Sequence, residues 1–398
     1  GKVKKLFTET TAAWVEVYGD PKFLSDGSSI WQSARNGWKH LYHYDAKGNL
    51  YRQLTNGEWE VRSFYGVDEA NGWVYFSGTK DNHISENIYR VSLKGGEIQR
   101  ISLGGGNHSA SFNSTFTHYV HNWSDLKTPP QQRLFKANGD LERVLNRNPV
   151  DVLNEFKLGE PEFLKVKTRD GFEMEALMIK PPDFDPSKKY PVLQYTYAGP
   201  HAPQVRNSWG GNRYMWHQML AQKAYIIWIC DNRTASGKGE ISTWPVYKQM
   251  GVLELRDIED GVNYLKSLPF VVGDRIVICG WSYGGFMSSY ALTHSKIFKA
   301  GIAGGSVTDW HLYDSIYTER FMQTPKNNPN GYEQTSVVKA AKDLHGRLLL
   351  IHGVMDDNVH QQNTIQFVNA LQKHGKQFDL MLYPNQRHGE VDPNQQKH

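Results

Sequence analysis

The sequence predicts a two-part architecture, in which a region of short β-strands precedes an α/β domain with a mostly parallel sheet. Three observations support this fold class. About the first 150 residues hold short strand-like runs separated by Asp-Gly, Asn-Gly and Gly-Gly turns. After about residue 160, apolar strand-like runs alternate with helical patterns, as in a sheet covered on both faces. Between residues 275 and 292, a strand, a glycine-rich turn and a helix follow directly upon one another.

The composition argues against several classes of partner. Of the 398 residues, 39% are hydrophobic and 22% are charged, which is ordinary for a globular protein. A net charge of +4 over this length forms no basic stripe, so nucleic acid is not an expected partner. No apolar run approaches the roughly 20 residues that cross a bilayer, and no membrane span is expected in this chain. The two cysteines, Cys230 and Cys279, lie in apolar strand-like runs and are expected to be buried free thiols.

The N-terminal region repeats a pattern at a period close to 45 residues. In each unit a strand and a turn lead to a strand with a central Tyr, and a run with Arg before Leu or Ile follows. A period of about 45 residues is typical of the four-stranded blades of a β-propeller. We therefore predict that residues 1–150 form a partial propeller of about two to three blades, with a weaker third blade from residue 111. A β-sandwich is the alternative, because strand alternation does not determine topology.

Histidines occur in pairs on two of these strands. His40 and His43 form one pair, and His118 and His121 form the other. Neither pair has the further ligands that a zinc site requires. We expect all four to be solvent-facing strand residues.

The α/β pattern begins after a crossing segment at residues 148–160, and we predict residues 151–398 to be the second domain. A β-hairpin comes first, with its turn at residues 169–171. Two amphipathic helices are expected between later strands. Their apolar faces hold Leu253, Ile258, Val262 and Leu265 in one helix, and Ile365, Val368 and Leu371 in the other. The remaining strand candidates are residues 190–195, 224–230, 275–279, 300–303, 347–351 and 378–383.

The segment Gly280-Trp-Ser-Tyr-Gly-Gly285 is the strongest indication of chemistry in the chain. A strand precedes this G-x-S-x-G sequence and a helix follows it, which is the context of the nucleophile elbow of α/β-hydrolases. The glycines permit a sharp turn that presents the Ser282 hydroxyl beside a helix N-terminus. A glycine-rich turn with an idle serine is the plainer alternative. We predict an α/β-hydrolase catalytic domain with Ser282 as its nucleophile.

A nucleophilic serine needs a base, and the base needs an orienting carboxylate. In α/β-hydrolases these residues follow the serine in the order Asp, His. Asp356 follows one strand candidate and His388 follows the last one, at the sheet edge where ligands gather. Asp357 is the rival carboxylate, while a turn cap for Asp356 and a surface position for His388 are the plainer alternatives. The joint arrangement favours Asp356 and His388 as catalytic residues.

An oxyanion hole needs donors that point at the developing alkoxide. The backbone N–H of Tyr283, the residue after the nucleophile, is one candidate. The phenol of Tyr197 is the second, because it lies in the loop Tyr195-Thr-Tyr-Ala-Gly-Pro200 after a strand. From chemistry alone, a packed aromatic side chain is an equally good interpretation of Tyr197.

Four motifs together resemble the prolyl oligopeptidase family of serine peptidases, in its dipeptidyl-peptidase branch. They are Gly280-Trp-Ser-Tyr-Gly-Gly285, Tyr197-Ala-Gly-Pro200, Tyr313-Asp-Ser-Ile-Tyr-Thr-Glu-Arg320 and His352-Gly-Val-Met-Asp-Asp-Asn-Val359. The resemblance extends from about residue 148 to residue 388, and more loosely back through the blades. It implies a catalytic triad of Ser282, Asp356 and His388, with Tyr197 and Tyr283 at the oxyanion hole.

The resemblance also implies a small apolar pocket for the proline or alanine side chain of a peptide substrate. Its lining would be Val307, Trp310, Tyr313, Tyr317 and Val359. Asn358 would hydrogen-bond the carbonyl of the penultimate residue. No cofactor and no metal are expected. The implied activity is that of a serine exopeptidase that releases N-terminal dipeptides with Pro, or Ala, at the second position.

Three other functions remain open at this point: a tripeptidyl, an oligo- or an acyl-peptidase of the same family. A catalytically idle binding protein is the alternative from a different class. The glutamate pair and the arginine that grip a substrate's N-terminus in the family lie on earlier blades, which this chain lacks. Those missing residues are what would separate the enzyme alternatives.

The two ends of the chain carry expectations of their own. The chain starts at Gly1 without Met or a signal peptide, so we expect a processed or truncated piece. It stops ten residues after His388, where the family adds a final helix that is expected to be missing. For the full-length protein, the resemblance favours a homodimer and a secreted or periplasmic location.

Overall fold

The computed structural model describes residues 5–389 and residue 392. The chain divides into two compact units. Unit 1 comprises Gly1–Lys157, Arg206–Met215 and Gly237–Ser242, and unit 2 comprises Leu158–Val205, Trp216–Ser236 and Thr243–His398. The two short inserts of unit 1 within the α/β part of the sequence were not expected from the pattern of strands and helices. The expected loss of a final helix concerns residues after His388, and most of these lie outside the described part.

The described part of unit 1 contains three four-stranded antiparallel sheets, each built from four strands that are consecutive in the chain. The first sheet consists of β1 (Lys22–Phe23), β2 (Ser29–Ser33), β3 (His40–Tyr44) and β4 (Leu50–Gln53). The second consists of β5 (Val61–Asp68), β6 (Trp73–Gly78), β7 (Asn87–Ser92) and β8 (Gln99–Arg100). The third consists of β9 (Asn107–Phe112), β10 (His118–Ser124), β11 (Gln131–Lys136) and β12 (Leu141–Asn146). These are the meanders that propeller blades require, and the region predicted to be weaker also has four strands.

Apolar side chains from neighbouring sheets pack together between the blades of unit 1. One core cluster joins Leu41 and Leu54 of the first sheet region to Val74 and Phe76 of the second. Another joins Tyr75 of the second sheet to residues of the third, including Phe135. Because successive residues of β6 point to opposite sides, both faces of the middle sheet are buried.

The expectation that the strand histidines face solvent is wrong for three of the four. His40, His43 and His121 are 1%, 7% and 0% exposed. All three are buried, and both ring nitrogens of His40 have partners: they lie 3.0 Å from the Thr55 hydroxyl and 2.9 Å from the Gly57 carbonyl. His118 alone is largely accessible, with its Nε2 3.1 Å from a Glu142 carboxylate oxygen.

Unit 2 is organised on an eight-stranded sheet in the order β13-β14-β16-β15-β17-β18-β19-β20. The six strands from β16 to β20 in this order run parallel, while β13 and β14 form the predicted antiparallel hairpin. The strands are β13 (Pro161–Lys167), β14 (Glu173–Ile179), β15 (Tyr190–Tyr195), β16 (Ile226–Cys230), β17 (Val271–Trp281), β18 (Ala300–Gly304), β19 (Arg347–Gly353) and β20 (Asp379–Tyr383). The predicted α/β fold class is confirmed.

Six α-helices lie in the described part of the chain: α1 (Gly211–Gln222), α2 (Val252–Ser267), α3 (Tyr283–His294), α4 (Ser315–Met322), α5 (Pro329–Thr335) and α6 (Gln362–Lys373). Short 3-10 turns occupy Asp151–Glu155, Glu240–Ser242, Trp244–Val246, Trp310–Leu312 and Ala341–Asp343. Helix α2 buries Ile258, Val262 and Leu265 as expected. Helix α6 buries Phe367 and Leu371, whereas Ile365, which was predicted on that face, is 46% exposed.

Two further sequence expectations can be compared with the structure. Both cysteines are free; Cys230 is buried, but Cys279 is only partly buried, unlike its prediction. Among the described residues, no helix combines the length and the apolar character needed to span a membrane.

Candidate active site

Ser282 lies between the end of β17 and the first residue of α3, in a strained conformation. Its φ of 60° and ψ of −117° are in a region that residues with a Cβ rarely adopt. Two backbone hydrogen bonds, one through its N–H and one through its carbonyl, hold Ser282 in this conformation. The Ser282 N–H donates to the Gly304 carbonyl at 2.9 Å, and the Ser282 carbonyl accepts from the Phe286 N–H at 2.9 Å. This is the geometry of a nucleophile elbow.

The glycines around Ser282 let helix α3 approach the sheet closely. A Cβ on Gly280 would lie 2.5 Å from backbone atoms of Gly284 and Thr196. A Cβ on Gly284 would lie 2.2 Å from the Thr196 carbonyl oxygen, and one on Gly285 would lie 2.3 Å from that of Gly304. Any side chain at these positions would push the elbow away from β15 and β18. The glycines therefore also bring the loop after β15, with Tyr197, next to the serine.

Asp356 and His388 meet at the carboxyl edge of the sheet, after β19 and β20. The His388 Nδ1 lies 2.7 Å from Asp356 Oδ2. The other oxygen, Oδ1, accepts the N–H groups of Asn358 and Val359 at 3.0 and 2.9 Å. Burial acts to raise the pKa of the Asp356 carboxyl, but the hydrogen bonds from His352 and His388 outweigh it, and the pKa is lowered from its usual value. The carboxylate is thus kept ionised and aimed at His388.

The rival carboxylate does not take part in this contact. Asp357 is exposed, and its Oδ2 pairs with Arg387 at 2.8 Å. The structure therefore places Asp356, and not Asp357, on the imidazole of His388.

A second histidine, which the sequence reasoning missed, contacts the same carboxylate. His352 is fully buried, and its Nε2 lies 2.8 Å from the Val359 carbonyl and 3.2 Å from Asp356 Oδ2. Its Nδ1 lies 2.7 Å from the Thr364 hydroxyl. The spacing of four residues in His352-Gly-Val-Met-Asp356 was a signal that could have been used. His352 and His388 therefore contact the same oxygen, Asp356 Oδ2.

The residue before the nucleophile holds the histidine loop. The Trp281 indole N–H donates to the His388 carbonyl at 2.6 Å. This bond joins the elbow to a residue 107 positions further along the chain. The backbone of His388 is thereby anchored beside Ser282.

Both predicted oxyanion-hole donors lie beside the nucleophile. The Tyr283 N–H belongs to the first turn of α3, where helix N–H groups have no intrahelical partner. The rings of Tyr197 and Tyr283 are 6.2 Å apart. Burial raises the pKa of the Tyr197 phenol, and a hydrogen bond with the Ser282 side chain partly offsets that rise. The side chain of Tyr197 therefore lies near that of Ser282.

Three aromatic residues predicted for the substrate pocket form one cluster. The ring centroids of Tyr313 and Tyr317 are 5.5 Å apart. The Trp310 centroid lies 6.3 Å from that of Tyr313 and 6.4 Å from that of Tyr317. The Tyr313 hydroxyl donates to Asn358 Oδ1 at 2.8 Å. Val307 and Val359, the other predicted lining residues, are buried at 2% and 0% exposure.

A buried carboxyl group that was not predicted contacts Tyr283. The Tyr283 hydroxyl donates to Glu254 Oε1 at 2.6 Å, and Glu254 is fully buried at the start of α2. Burial raises the pKa of Glu254 to about 7. The sequence offered only a weak signal, an acidic residue three positions after Gly251 at a helix start.

Family models match most of the chain. The model described as "Prolyl oligopeptidase family" matches residues 212–398. The model described as "Dipeptidyl peptidase IV (DPP IV) N-terminal region" matches residues 1–130. The match to the N-terminal region lies within unit 1, and the match to the peptidase family lies mostly within unit 2.

Individual proteins are similar over nearly the whole chain. Dipeptidyl peptidase 8 of Homo sapiens is 34% identical over 99% of this chain and 49% of its own length. Dipeptidyl peptidase 4 of Trichophyton equinum is 34% identical over 88% of this chain and 46% of its own length. The chain therefore spans about half the length of these curated relatives.

Two solved structures are likewise similar over nearly the whole chain. The crystal structure of Porphyromonas gingivalis dipeptidyl peptidase 4 superimposes with a TM-score of 0.91 at 37% identity, over 95% of this chain and 54% of that chain. A putative dipeptidyl aminopeptidase IV from Bacteroides ovatus ATCC 8483 gives a TM-score of 0.89 at 31% identity, over 97% and 58% of the two chains.

Proposed function

Because this chain belongs to the prolyl oligopeptidase family of serine peptidases, we propose that it carries the catalytic centre of a serine exopeptidase. The proposed substrates are peptides with Pro, or less well Ala, at the second position, from which an N-terminal dipeptide is released. One observation carries the proposal: Asp356 holds His388 at 2.7 Å, and Trp281 ties His388 to the strained Ser282 elbow.

In the proposed mechanism, His388 takes the proton from the Ser282 hydroxyl as the oxygen attacks the substrate carbonyl. Asp356 accepts the hydrogen bond of Nδ1–H, so Nε2 is left as the basic nitrogen that takes the serine proton in this mechanism. The Tyr283 N–H and the Tyr197 phenol donate to the oxyanion. His388 then gives its proton to the leaving amine, and water hydrolyses the acyl-enzyme by the same route.

The specificity that we propose rests on the aromatic cluster. Trp310, Tyr313 and Tyr317 present flat apolar surfaces against which a pyrrolidine ring can pack, while a slot of this kind excludes large side chains. The amide oxygen of Asn358 already accepts a hydrogen bond from the Tyr313 hydroxyl. The NH₂ group of Asn358 is then the part that offers a hydrogen bond to a substrate carbonyl.

Replacing the nucleophile tests the proposed chemistry. We expect Ser282→Ala to reduce turnover of a Gly-Pro anilide by roughly 10⁴-fold or more, because no other group can form the acyl-enzyme. Ser295→Ala, at the far end of α3, is the matched control and should retain wild-type turnover. Near-normal hydrolysis by Ser282→Ala would rule out the assignment.

Blocked substrates distinguish the enzyme alternatives. A dipeptidyl peptidase should hydrolyse free Ala-Pro anilide better than its N-acetylated form, since it requires a free amine. Preference for the acetylated substrate would favour an oligo- or acyl-peptidase. Failure of a fluorophosphonate to label Ser282 in the folded protein would favour the idle binding protein. Homodimerisation stays a prediction, which sedimentation of the full-length protein would test.

A further inference from the structure

Glu254 is a buried acidic residue that none of the proposed catalytic steps uses. We propose that it is a positioning residue for the oxyanion hole, which acts by holding Tyr283 at the start of α3. Tyr283 offers its backbone N–H to the oxyanion in the proposed mechanism, so this inference rests on the proposed function. Glu254 is hydrogen-bonded to Tyr283 and to the Gly251 backbone, and its effect would be transmitted through Tyr283.

Both oxygens of Glu254 are engaged. Oε1 accepts from the Tyr283 hydroxyl at 2.6 Å, and Oε2 accepts from the Gly251 N–H at 2.9 Å. The second contact ties the carboxyl group to the backbone at the beginning of α2, a helix of 16 residues. The carboxyl group therefore has little freedom to follow Tyr283 if that side chain moves. It serves as a fixed point for the first residue of α3.

The beginning of α2 is itself pressed against α3. Gly251 has a φ of 104°, and a Cβ there would lie 2.8 Å from the Phe286 ring. Phe286 in turn packs against Tyr283, with ring centroids 5.4 Å apart. Packing and hydrogen bonding thus act together on the same helical turn, the one that provides the oxyanion donor.

The side chain of Tyr283 connects the two halves of the proposed site. Its ring is 3% exposed and lies 6.2 Å from that of Tyr197 and 5.5 Å from that of Trp310. Because this one ring lies beside both Tyr197 and Trp310, a shift of the ring would disturb the packing of the second oxyanion donor and of the substrate pocket together.

A backbone donor can be positioned only through the residue that carries it. The N–H of Tyr283 has no rotamer of its own, and it directly follows the strained backbone of Ser282, where φ is 60°. An oxyanion donor stabilises the transition state only within a few tenths of an ångström of its correct place. Anchoring the Tyr283 hydroxyl on the far side of the ring is one way to hold that backbone.

Three variants and a control test the proposal: Glu254→Gln, Tyr283→Phe, the double variant, and Glu259→Gln. Glu259 lies on the same helix, where its Oε1 accepts from the Ser295 hydroxyl at 2.5 Å. We expect Glu254→Gln and Tyr283→Phe each to lower kcat by about 10- to 100-fold, because a displaced oxyanion donor loses part of its effect. KM should change by less than about threefold, since the ground state does not use this donor.

A dipeptide boronic acid that ends in boroproline reports on the oxyanion hole directly, because it forms a tetrahedral adduct with the serine. Its affinity should fall by the same factor as kcat, while the affinity of the product dipeptide Ala-Pro should stay within about threefold. In Glu254→Gln a single amide oxygen remains for two donors, the Tyr283 hydroxyl and the Gly251 N–H. The double variant should be no worse than the more affected single variant, because Tyr283→Phe already removes the hydroxyl through which Glu254 acts.

The outcomes separate this inference from the proposed function. Wild-type kcat and boronate affinity in folded Tyr283→Phe would overturn the inference and leave the proposed function intact. An equal loss in Glu259→Gln would also overturn it, because the effect would then belong to the helix as a whole. If Glu254→Gln does not fold, Tyr283→Phe still decides, since it removes only a hydroxyl. A wild-type protein that neither hydrolyses Gly-Pro anilide nor binds the boronate would refute the proposed function, and this inference with it.

Discussion

At the residue scale, the groups that are proposed to assist Ser282 as a nucleophile come from distant parts of the chain. Tyr197 approaches from the loop after β15, and its side chain lies near that of the serine. Asp356 is supported by four donors, two backbone N–H groups and two histidines. Each of these contacts fixes an orientation that a free side chain would lose to rotamer entropy.

The role of Tyr197 can be tested by removing one oxygen atom. We expect Tyr197→Phe to lower kcat by roughly 10²- to 10³-fold, the usual cost of one oxyanion donor, with little change in KM. Steady-state kinetics with Gly-Pro anilide measures this. Tyr264→Phe is the control, because that ring stacks on Trp228 and its hydroxyl lies outside the site. A loss of kcat smaller than about threefold would assign Tyr197 to packing, the interpretation that chemistry alone left open.

At the scale of elements, strands β9 and β10 bury a pair of histidines against each other. His108 Nδ1 lies 2.9 Å from His121 Nε2, and the rings stack at 5.1 Å. One nitrogen has to donate its proton and the other has to accept it, so a second proton would break the contact. Burial lowers the pKa of His108 to about 3 and that of His121 to about 4.

The sign of the resulting pH effect follows from these pKa values. The unfolded chain takes up protons on both histidines below about pH 6.5, while the folded state takes them up only near pH 3 to 4. Between these limits the unfolded state binds more protons, so the fold loses stability as the pH falls. The third sheet is therefore expected to be an acid-sensitive element of unit 1.

The variant His121→Leu tests this expectation. Between pH 7.5 and 5.5, each such histidine should cost about 1.4 kcal/mol of unfolding free energy. The fall in Tm over this range should therefore be smaller in His121→Leu than in the wild type, as followed by thermal unfolding. His118→Gln, on the same strand but accessible, should keep the wild-type dependence. An unchanged pH dependence in His121→Leu would contradict the argument.

At the scale of the whole catalytic unit, parallel strand order assembles the site. Strands β17, β18, β19 and β20 are neighbours in the sheet and all run in the same direction. Their carboxyl ends share one edge, so the loops with Ser282, Asp356 and His388 meet there. The Trp281 indole then fastens the last of these loops to the elbow.

The loss of the hydrogen bond between the Trp281 indole and the His388 carbonyl should have a measurable effect. In Trp281→Phe the His388 carbonyl loses its donor, and we expect kcat/KM to fall by about tenfold because the imidazole is held less well. The rate of fluorophosphonate labelling of Ser282 should fall in parallel. Trp216→Phe, on α1 and 38% exposed, is the control. A wild-type labelling rate in Trp281→Phe would show that β20 alone positions His388.

Some of these features could be predicted because they depend on neighbours in the chain. The elbow was recognisable from Gly280 to Gly285, since the steric demands of a strand–turn–helix junction act over a few residues. The family resemblance inferred from such motifs is confirmed. The structure places Asp356, which the family resemblance favoured over Asp357, against His388, and its catalytic role stays a prediction.

Other features could not be predicted, because their partners are far away in the sequence. Glu254 and Tyr283 are 29 residues apart and lie on different helices. The buried histidines of unit 1 were assigned to solvent, because alternation along a strand shows that two faces exist but not that both are covered. Cys279 was expected to be buried for the converse reason, since an apolar strand does not reveal which face lacks a cover.

The sequence by itself therefore determined the candidate groups for the proposed chemistry, a serine on a sharp turn and a following aspartate and histidine, and it determined that two kinds of sheet follow one another. Local steric rules and the spacing of apolar residues are sufficient for these. Only the tertiary structure decided which groups support that chemistry, among them His352 behind Asp356, Trp281 on His388 and Glu254 on Tyr283. Their contacts arise from strand register and helix packing, which depend on the free energy of the whole fold and leave no short pattern in the chain.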